Sequence, residues 1–165
     1  MEEQERKIKL LIVDDEVKFL KSISERLKLK DFDVATASDG NQAIKVAKKE
    51  KFDVAILDLK MPDMDGTEVL RILKKRHKFL QILILTGHAS IDSAVECTKL
   101  GAFNYIEKPY DFEKLIEAIK EAYRARLKTK FEHDKKRMEE INMLSMGSSP
   151  MGILRSLIRL DDDEK

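Results

Sequence analysis

Five side chains in this sequence stand where they could act together. Asp14 and Asp15 follow the apolar run Leu10-Leu11-Ile12-Val13, and Asp58 follows Val54-Ala55-Ile56-Leu57. Thr86 follows Ile82-Leu83-Ile84-Leu85, and Lys108 stands just beyond Phe103 to Ile106. Carboxylates brought together repel one another unless a cation lies between them. Mg²⁺ suits such a set: it is hard, prefers oxygen, and usually takes one or two carboxylates with waters and phosphate oxygens. Beside that cation a carboxylate can attack phosphorus and become an aspartyl phosphate. Asp58 is the candidate nucleophile. Lys108 would balance charge on the phosphoryl oxygens, and the Thr86 hydroxyl would hydrogen-bond one of them. Taken singly, each position has a bland explanation as a cap or a solvated loop residue. The set, each member at the end of its own apolar run, does not. Asp63 and Asp65 share a loop with Pro62 and Gly66 and read as turn and N-cap residues.

The elements between these residues explain how they could meet. Leu20, Ile23 and Leu27 fall on one face at helical spacing after the first run. Asp33 to Ala37 is a weaker strand. Asp39 can cap the next helix, with Gln42 as a capping-box partner, and Ala43, Ile44 and Ala47 form its inner face. Val69, Leu70 and Leu73 mark a third helix. Ser90 is an N-cap for the helix carrying Ala94 and Val95. Phe103 to Ile106 is the fifth strand, and Asp111 caps a helix lined by Leu115, Ile116, Ile119 and Tyr123. Continuous apolar strands are usually buried on both faces, which argues for a parallel sheet with right-handed helical crossovers. The expected fold is α/β: a doubly wound, five-stranded parallel sheet between helix layers. Ligands bind such sheets at the carboxyl ends of the strands, near a topological switch point. The chemical residues lie at those ends.

Composition narrows the setting. The chain has 165 residues, enough for one domain and an appendage, and 42% are apolar. A formal net charge of +1 gives no reason to expect nucleic acid or an anionic membrane as partner. Cys97 is the single cysteine, fits a reducing compartment, and reads as a packing residue rather than a redox sensor. No apolar run approaches the ~20 residues that span a bilayer. The charged start, Met1 to Lys7, has no apolar signal core behind it. The expectation is a cytoplasmic protein without membrane insertion. His77, His88 and His133 lack ligand-like spacing, so no zinc site is expected.

The motifs Leu11-Ile12-Val13-Asp14-Asp15-Glu16, Leu57-Asp58-Leu59-Lys60-Met61-Pro62-Asp63-Met64-Asp65-Gly66, Leu85-Thr86-Gly87-His88 and Lys108-Pro109 resemble the receiver domain of two-component response regulators. The resemblance covers residues 8 to about 123. Gly101-Ala102-Phe103 with Tyr105 is most similar to receivers of nitrogen-regulator-type activators. It implies a flavodoxin-like strand order 2-1-3-4-5. Asp58 would be the phosphoacceptor, with a sensor histidine kinase as donor and later hydrolysis. Asp15, Asp58 and the backbone carbonyl of Lys60 would hold Mg²⁺, with Asp14 acting through water. Lys108 would contact the phosphoryl group, Pro109 would follow a cis peptide, and Thr86 and Tyr105 would form the switch. His88 and Lys60 would border the path of hydrolytic water. The protein would be a phosphoacceptor that assists its own phosphorylation and dephosphorylation, not an enzyme acting on other substrates. Its output would be phosphorylation-dependent contact with an unknown downstream protein. The alternatives are a phosphorylation-independent scaffold and an aspartate-dependent phosphohydrolase, although no substrate pocket or cap is evident for the latter.

Four segments are expected: a charged lead (1–7), the receiver (8–126), a helical extension (127–146), and a short amphipathic segment with an acidic tail (147–165). Leu127, Phe131, Met138 and Ile141 have spacing compatible with a heptad seam, interrupted by Asp134. A dimer through that seam and a helix folded back on its own domain are both open. The resemblance adds a dimer through the fourth helix, fifth strand and fifth helix. No ATPase or helix-turn-helix domain is expected in this chain. The segment with Ile153, Leu154, Leu157 and Ile158 is expected to dock a partner or another protomer.

Overall fold

In the computed structural model, which describes residues 6–145, 151, 152, 154, 155, 158 and 159, the apolar runs form the interior of one sheet. The chain order is β1 (Lys9–Val13), α1 (Val17–Leu29), β2 (Asp33–Ala37), α2 (Gly40–Lys49), β3 (Val54–Leu57), α3 (Gly66–Arg76), β4 (Gln81–Thr86), α4 (Ile91–Lys99), β5 (Asn104–Glu107) and α5 (Phe112–Ser145). The strands are parallel in the order β2-β1-β3-β4-β5. The chain turns one way from β1 to β2 and then returns to the other side of β1. The switch point therefore lies between β1 and β3.

Side chains alternate across each strand, and each set meets a different helix layer. Leu11, Val13, Ala55, Leu57, Ile82 and Ile84 pack with residues of α2, α3 and α4. Leu10, Ile12, Val54, Ile56, Leu83 and Leu85 pack with α1 and the first half of α5. Burying both faces is why the central strands read as unbroken apolar runs. The outer strands β2 and β5 are only partly covered, which is why Asp33 to Ala37 gives the weakest signal. The fifth strand begins at Asn104 rather than Phe103; Phe103 is 38% exposed and its N–H enters the sheet on the Ile82 carbonyl.

Side-chain oxygens cap the helix starts. The Asp39 carboxylate accepts from Gln42 N at 2.7 Å. The expected capping box does not close, because Gln42 Oε1 accepts instead from Ser38 N at 2.6 Å. A reciprocal box forms at Ser90 and Ser93. Asp65 caps α3 by accepting from Thr67 N at 2.9 Å. Asp63 does more than shape its own turn: it accepts from Gly40 N at 3.2 Å and Asn41 N at 3.0 Å, tying the β3–α3 loop to the start of α2.

The last helix is continuous for 34 residues. It crosses the sheet from the carboxyl edge to the amino edge, where Arg126 Nε meets Asp53 Oδ1 at 3.0 Å, one residue before β3. Beyond Ala122 no described side chain of α5 is buried, and Leu127, Phe131 and Met138 are 48%, 69% and 57% exposed. The extension thus continues α5, and its His133 ring meets Phe79 of the α3–β4 loop edge-on, 5.1 Å between centroids. Residues 151, 152, 154, 155, 158 and 159 are helical, with Leu154 and Ile158 about half exposed. Ile153, Leu157, the 147–150 break and the acidic run 161–164 lie outside the described residues.

Candidate active site

Register assembles the site. Val13 pairs with Leu57, and Leu57 with Ile84, so Asp14 and Asp58 leave neighbouring strands side by side. Asp58 N donates to Val13 O at 3.0 Å. One carboxylate oxygen from each of Asp14, Asp15 and Asp58 lies within 4.8 Å of the other two. Asp14 and Asp58 are 2% and 5% exposed, whereas Asp15 faces solvent. Asp58 Oδ1 accepts from Leu59 N at 2.8 Å, which leaves Oδ2 without a partner among the described residues.

Lys108 arrives from the far side of the sheet. Its N–H donates to Thr86 O at 2.8 Å, and the Lys108–Pro109 peptide is cis. Its ammonium meets Asp14 Oδ2 at 2.7 Å and stands 4.1 Å from the centre of the Phe19 ring. Phe19 is itself braced edge-on against Tyr110, 6.1 Å between centroids. Burial raises the Asp14 carboxyl above the usual range; Lys108 and the Glu16 N–H oppose that shift without cancelling it.

Thr86 ends β4 and is fully buried, with its hydroxyl accepting from His88 N at 3.1 Å. Tyr105 pairs in register with Ile84 and is half-buried. Its hydroxyl is hydrogen-bonded to Ser93 Oγ in the first turn of α4, at 2.7 Å. Lys60 is exposed and shares the wall of a shallow cleft with Met61, His88 and Ser93. Gly66 closes the loop beneath Asp58, its N–H donating to Leu59 O at 2.8 Å. A Cβ there would run into the Asp58 carbonyl and come within 2.5 Å of Leu59 Cα. Three carboxylates and one ammonium leave an excess of negative charge, and the donors are all oxygen. That set fits a small hard cation.

Residues 10–120 match the family model described as the response regulator receiver domain. The chain belongs to the receiver-domain family. Receiver domains are signalling modules of two-component systems, with a site for Mg²⁺ in an acidic pocket such as the one Asp14, Asp15 and Asp58 form here. This receiver is 37% identical over 115 residues to an NtrX-like response regulator of Rickettsia felis, covering 68% of this chain and 24% of that protein. It is 38% identical over 113 residues to the transcriptional regulatory protein GlrR of Escherichia coli K12, covering 68% of this chain and 26% of the relative. The chain thus spans about a quarter of the length of these curated relatives. Among solved structures it resembles a CheY-like receiver from Methanospirillum hungatei, with TM-score 0.73 and 32% identity over 75% of this chain and 99% of the other. Among the described residues, no helix is long and apolar enough to cross a membrane.

Sequence reasoning missed three supports of this receiver. Phe19 gives no local sign of its role, because its closeness to Lys108 depends on a contact between distant elements. Ser93 gives no local sign of its bond to Tyr105, which crosses from α4 to β5. Asp53, 1% exposed, gathers Lys9 N, Arg6 and Arg126 at 2.8, 3.0 and 3.0 Å, all from distant positions.

Proposed function

We propose that this receiver accepts a phosphoryl group on Asp58 from a phosphohistidine of a sensor kinase, and signals by changing its protein contacts. The observation that carries the reading is the convergence of Asp14, Asp15, Asp58 and Lys108 at the β1/β3 switch point. Asp58 Oδ2 is the attacking oxygen, since Oδ1 is held by Leu59 N. An oxygen–phosphorus bond forms while the donor's nitrogen–phosphorus bond breaks, and the departing imidazole nitrogen takes a proton from solvent. Asp15, Asp58 and the Lys60 carbonyl would hold Mg²⁺, with Asp14 acting through water, and the bound ion would supply charge that lowers repulsion between carboxylate and phosphoryl. Lys108 faces the phosphoryl oxygens, shared between them and Asp14. The Thr86 hydroxyl donates to one of them. Hydrolysis reverses the modification: water attacks phosphorus, the acyl oxygen leaves, and the Asp58 carboxylate returns with release of phosphate. Lys60 and His88 border the path of that water.

Phosphorylation adds about −1.5 to −2 charge and three strong acceptors. Thr86 moves toward them, and Tyr105 enters the space it vacates. To do so Tyr105 must leave Ser93, so the switch pulls on the first turn of α4. The α4–β5–α5 face, where Ile91 and Val95 are 84% and 48% exposed, then meets a downstream protein or a second protomer. The α5 extension offers an alternative dimer seam. We assign residues 8–126 to the receiver and 127–146 to the extension, and place the protein in the cytoplasm.

Incubation with Mg²⁺ and acetyl phosphate, followed by intact mass measurement, tests the reading. Wild type should gain one phosphoryl mass and Asp58→Asn none. Equal gain in both would sink it. If Asp58→Ala left partner binding unchanged, the scaffold alternative would replace it.

A further inference from the structure

A cleft of about 370 Å³ lies at the sheet edge opposite Asp58. Its floor is apolar, formed by Ala47, Phe52 and Leu80, with Phe79 half-buried at one side. One wall is the loop between α3 and β4, bearing Arg76 and Lys78; the other is α5, bearing Arg126, Lys130 and Asp134. The α5 residues are four apart and therefore share one face of the helix. Lys51 completes the rim from the end of α2.

The charge on this rim is unbalanced. Lys51, Arg76, Lys78 and Lys130 form no ion pair among the described residues. Of the two acids on the lining, Glu50 is already paired with Lys9 at 3.3 Å. The C-terminal dipole of α3 accounts for Arg76 in its last turn. It does not account for Lys51 or Lys78, which lie outside helices, or for Lys130 in the middle of one. Like charges gathered around a concave apolar surface are costly unless an anion joins them. The volume lies in the range of small-molecule sites, which combine an apolar lining with a few convergent polar groups.

We propose that this cleft binds a small organic anion of the mononucleotide class, with a flat ring against Phe79 and the apolar floor and its phosphate among Arg76, Lys78 and Lys130. Aromatic stacking and charge-assisted hydrogen bonds would share the recognition. The bound anion would add to the Phe79–His133 contact, 5.1 Å between ring centroids, that already joins the α3–β4 loop to α5, and so would fix the direction in which the extension leaves the domain. The site does not depend on the phosphoacceptor reading.

Calorimetric titration of the full chain with AMP, adenosine and pyrophosphate tests it. AMP should bind more tightly than either part, and high salt should weaken it. Lys78→Glu and Lys130→Glu, both at exposed positions, should each weaken AMP binding about tenfold, as loss of one charge-assisted contact implies. Circular dichroism should find both variants folded. Asp58→Asn should bind AMP as wild type does. No AMP binding at millimolar concentration would overturn the proposal. So would pyrophosphate binding as well as AMP, unchanged binding in the Lys78→Glu/Lys130→Glu double variant, or loss of binding in Asp58→Asn.

Discussion

Lys108 and Asp14 hold each other at 2.7 Å, and Asp14 is 2% exposed. Removing one partner leaves the other desolvated and unsatisfied. We expect Lys108→Ala to lower stability by about 1–3 kcal/mol, measured by urea unfolding without metal. A cation that binds only the folded state stabilises it by about 2.7 kcal/mol at a hundredfold its dissociation constant. Mg²⁺ should therefore raise the melting temperature of wild type, and Asp15→Ala should lose most of that rise. Gly66 answers to space rather than charge. Its missing Cβ would meet backbone that cannot yield without moving Asp58. Gly66→Ala should cost about 1–3 kcal/mol and slow phosphorylation from acetyl phosphate, while a surface glycine with open space, Gly87, should tolerate alanine. Burial pushes the Cys97 thiol up to about 11. Its thiolate is scarce at neutral pH, so native protein should resist iodoacetamide and urea-unfolded protein should react.

At the scale of elements, two side-chain bonds determine how helices ride on the sheet. The Ser93–Tyr105 bond joins α4 to β5. Ser93→Ala should free the Tyr105 ring, seen as altered NMR exchange of its ring signals, and should weaken α4 through loss of the capping box by about 0.5–2 kcal/mol. The Asp53 cluster joins α5 to β1 and β3. Arg126→Ala should destabilise by about 1–3 kcal/mol, and truncation after Tyr123 should do the same. Truncation after Arg126 should leave the melting temperature close to that of the full chain, because no described residue of α5 beyond that point is buried. A truncation after Arg126 that unfolds the domain would refute the boundary proposed at 126.

Across the whole molecule, charge is segregated although the total is only +1. The carboxyl edge of the sheet holds the cluster of Asp14, Asp15 and Asp58, and the amino edge holds a cleft with a mostly basic rim. His77 sits at that basic end, and burial first, then Arg76, lowers its pKa below the ordinary value. The sign follows from linkage: near pH 6.5 the unfolded chain takes up a proton that folded His77 resists, so this contribution weakens as pH falls. Asp14, with its pKa raised, acts in the opposite sense. Comparing His77→Gln with wild type isolates the histidine. The variant should lose less stability between neutral and mildly acidic pH in urea unfolding, and an equal loss would reject the assignment.

Local sequence determined the parallel sheet, the helix caps at Asp39, Ser90 and Asp111, and the acids at the strand ends, because periodicity and capping act within a few residues. The site was legible for the same reason: each member ends its own strand, and a parallel sheet delivers those ends to one edge. Tertiary structure alone decided what those residues touch. Lys108 meets Asp14 across 94 positions, Asp63 caps a helix 22 and 23 residues earlier, and Asp53 collects donors 44, 47 and 73 residues away. A carboxylate's partner depends on which elements pack beside it, and no spacing in the chain encodes that.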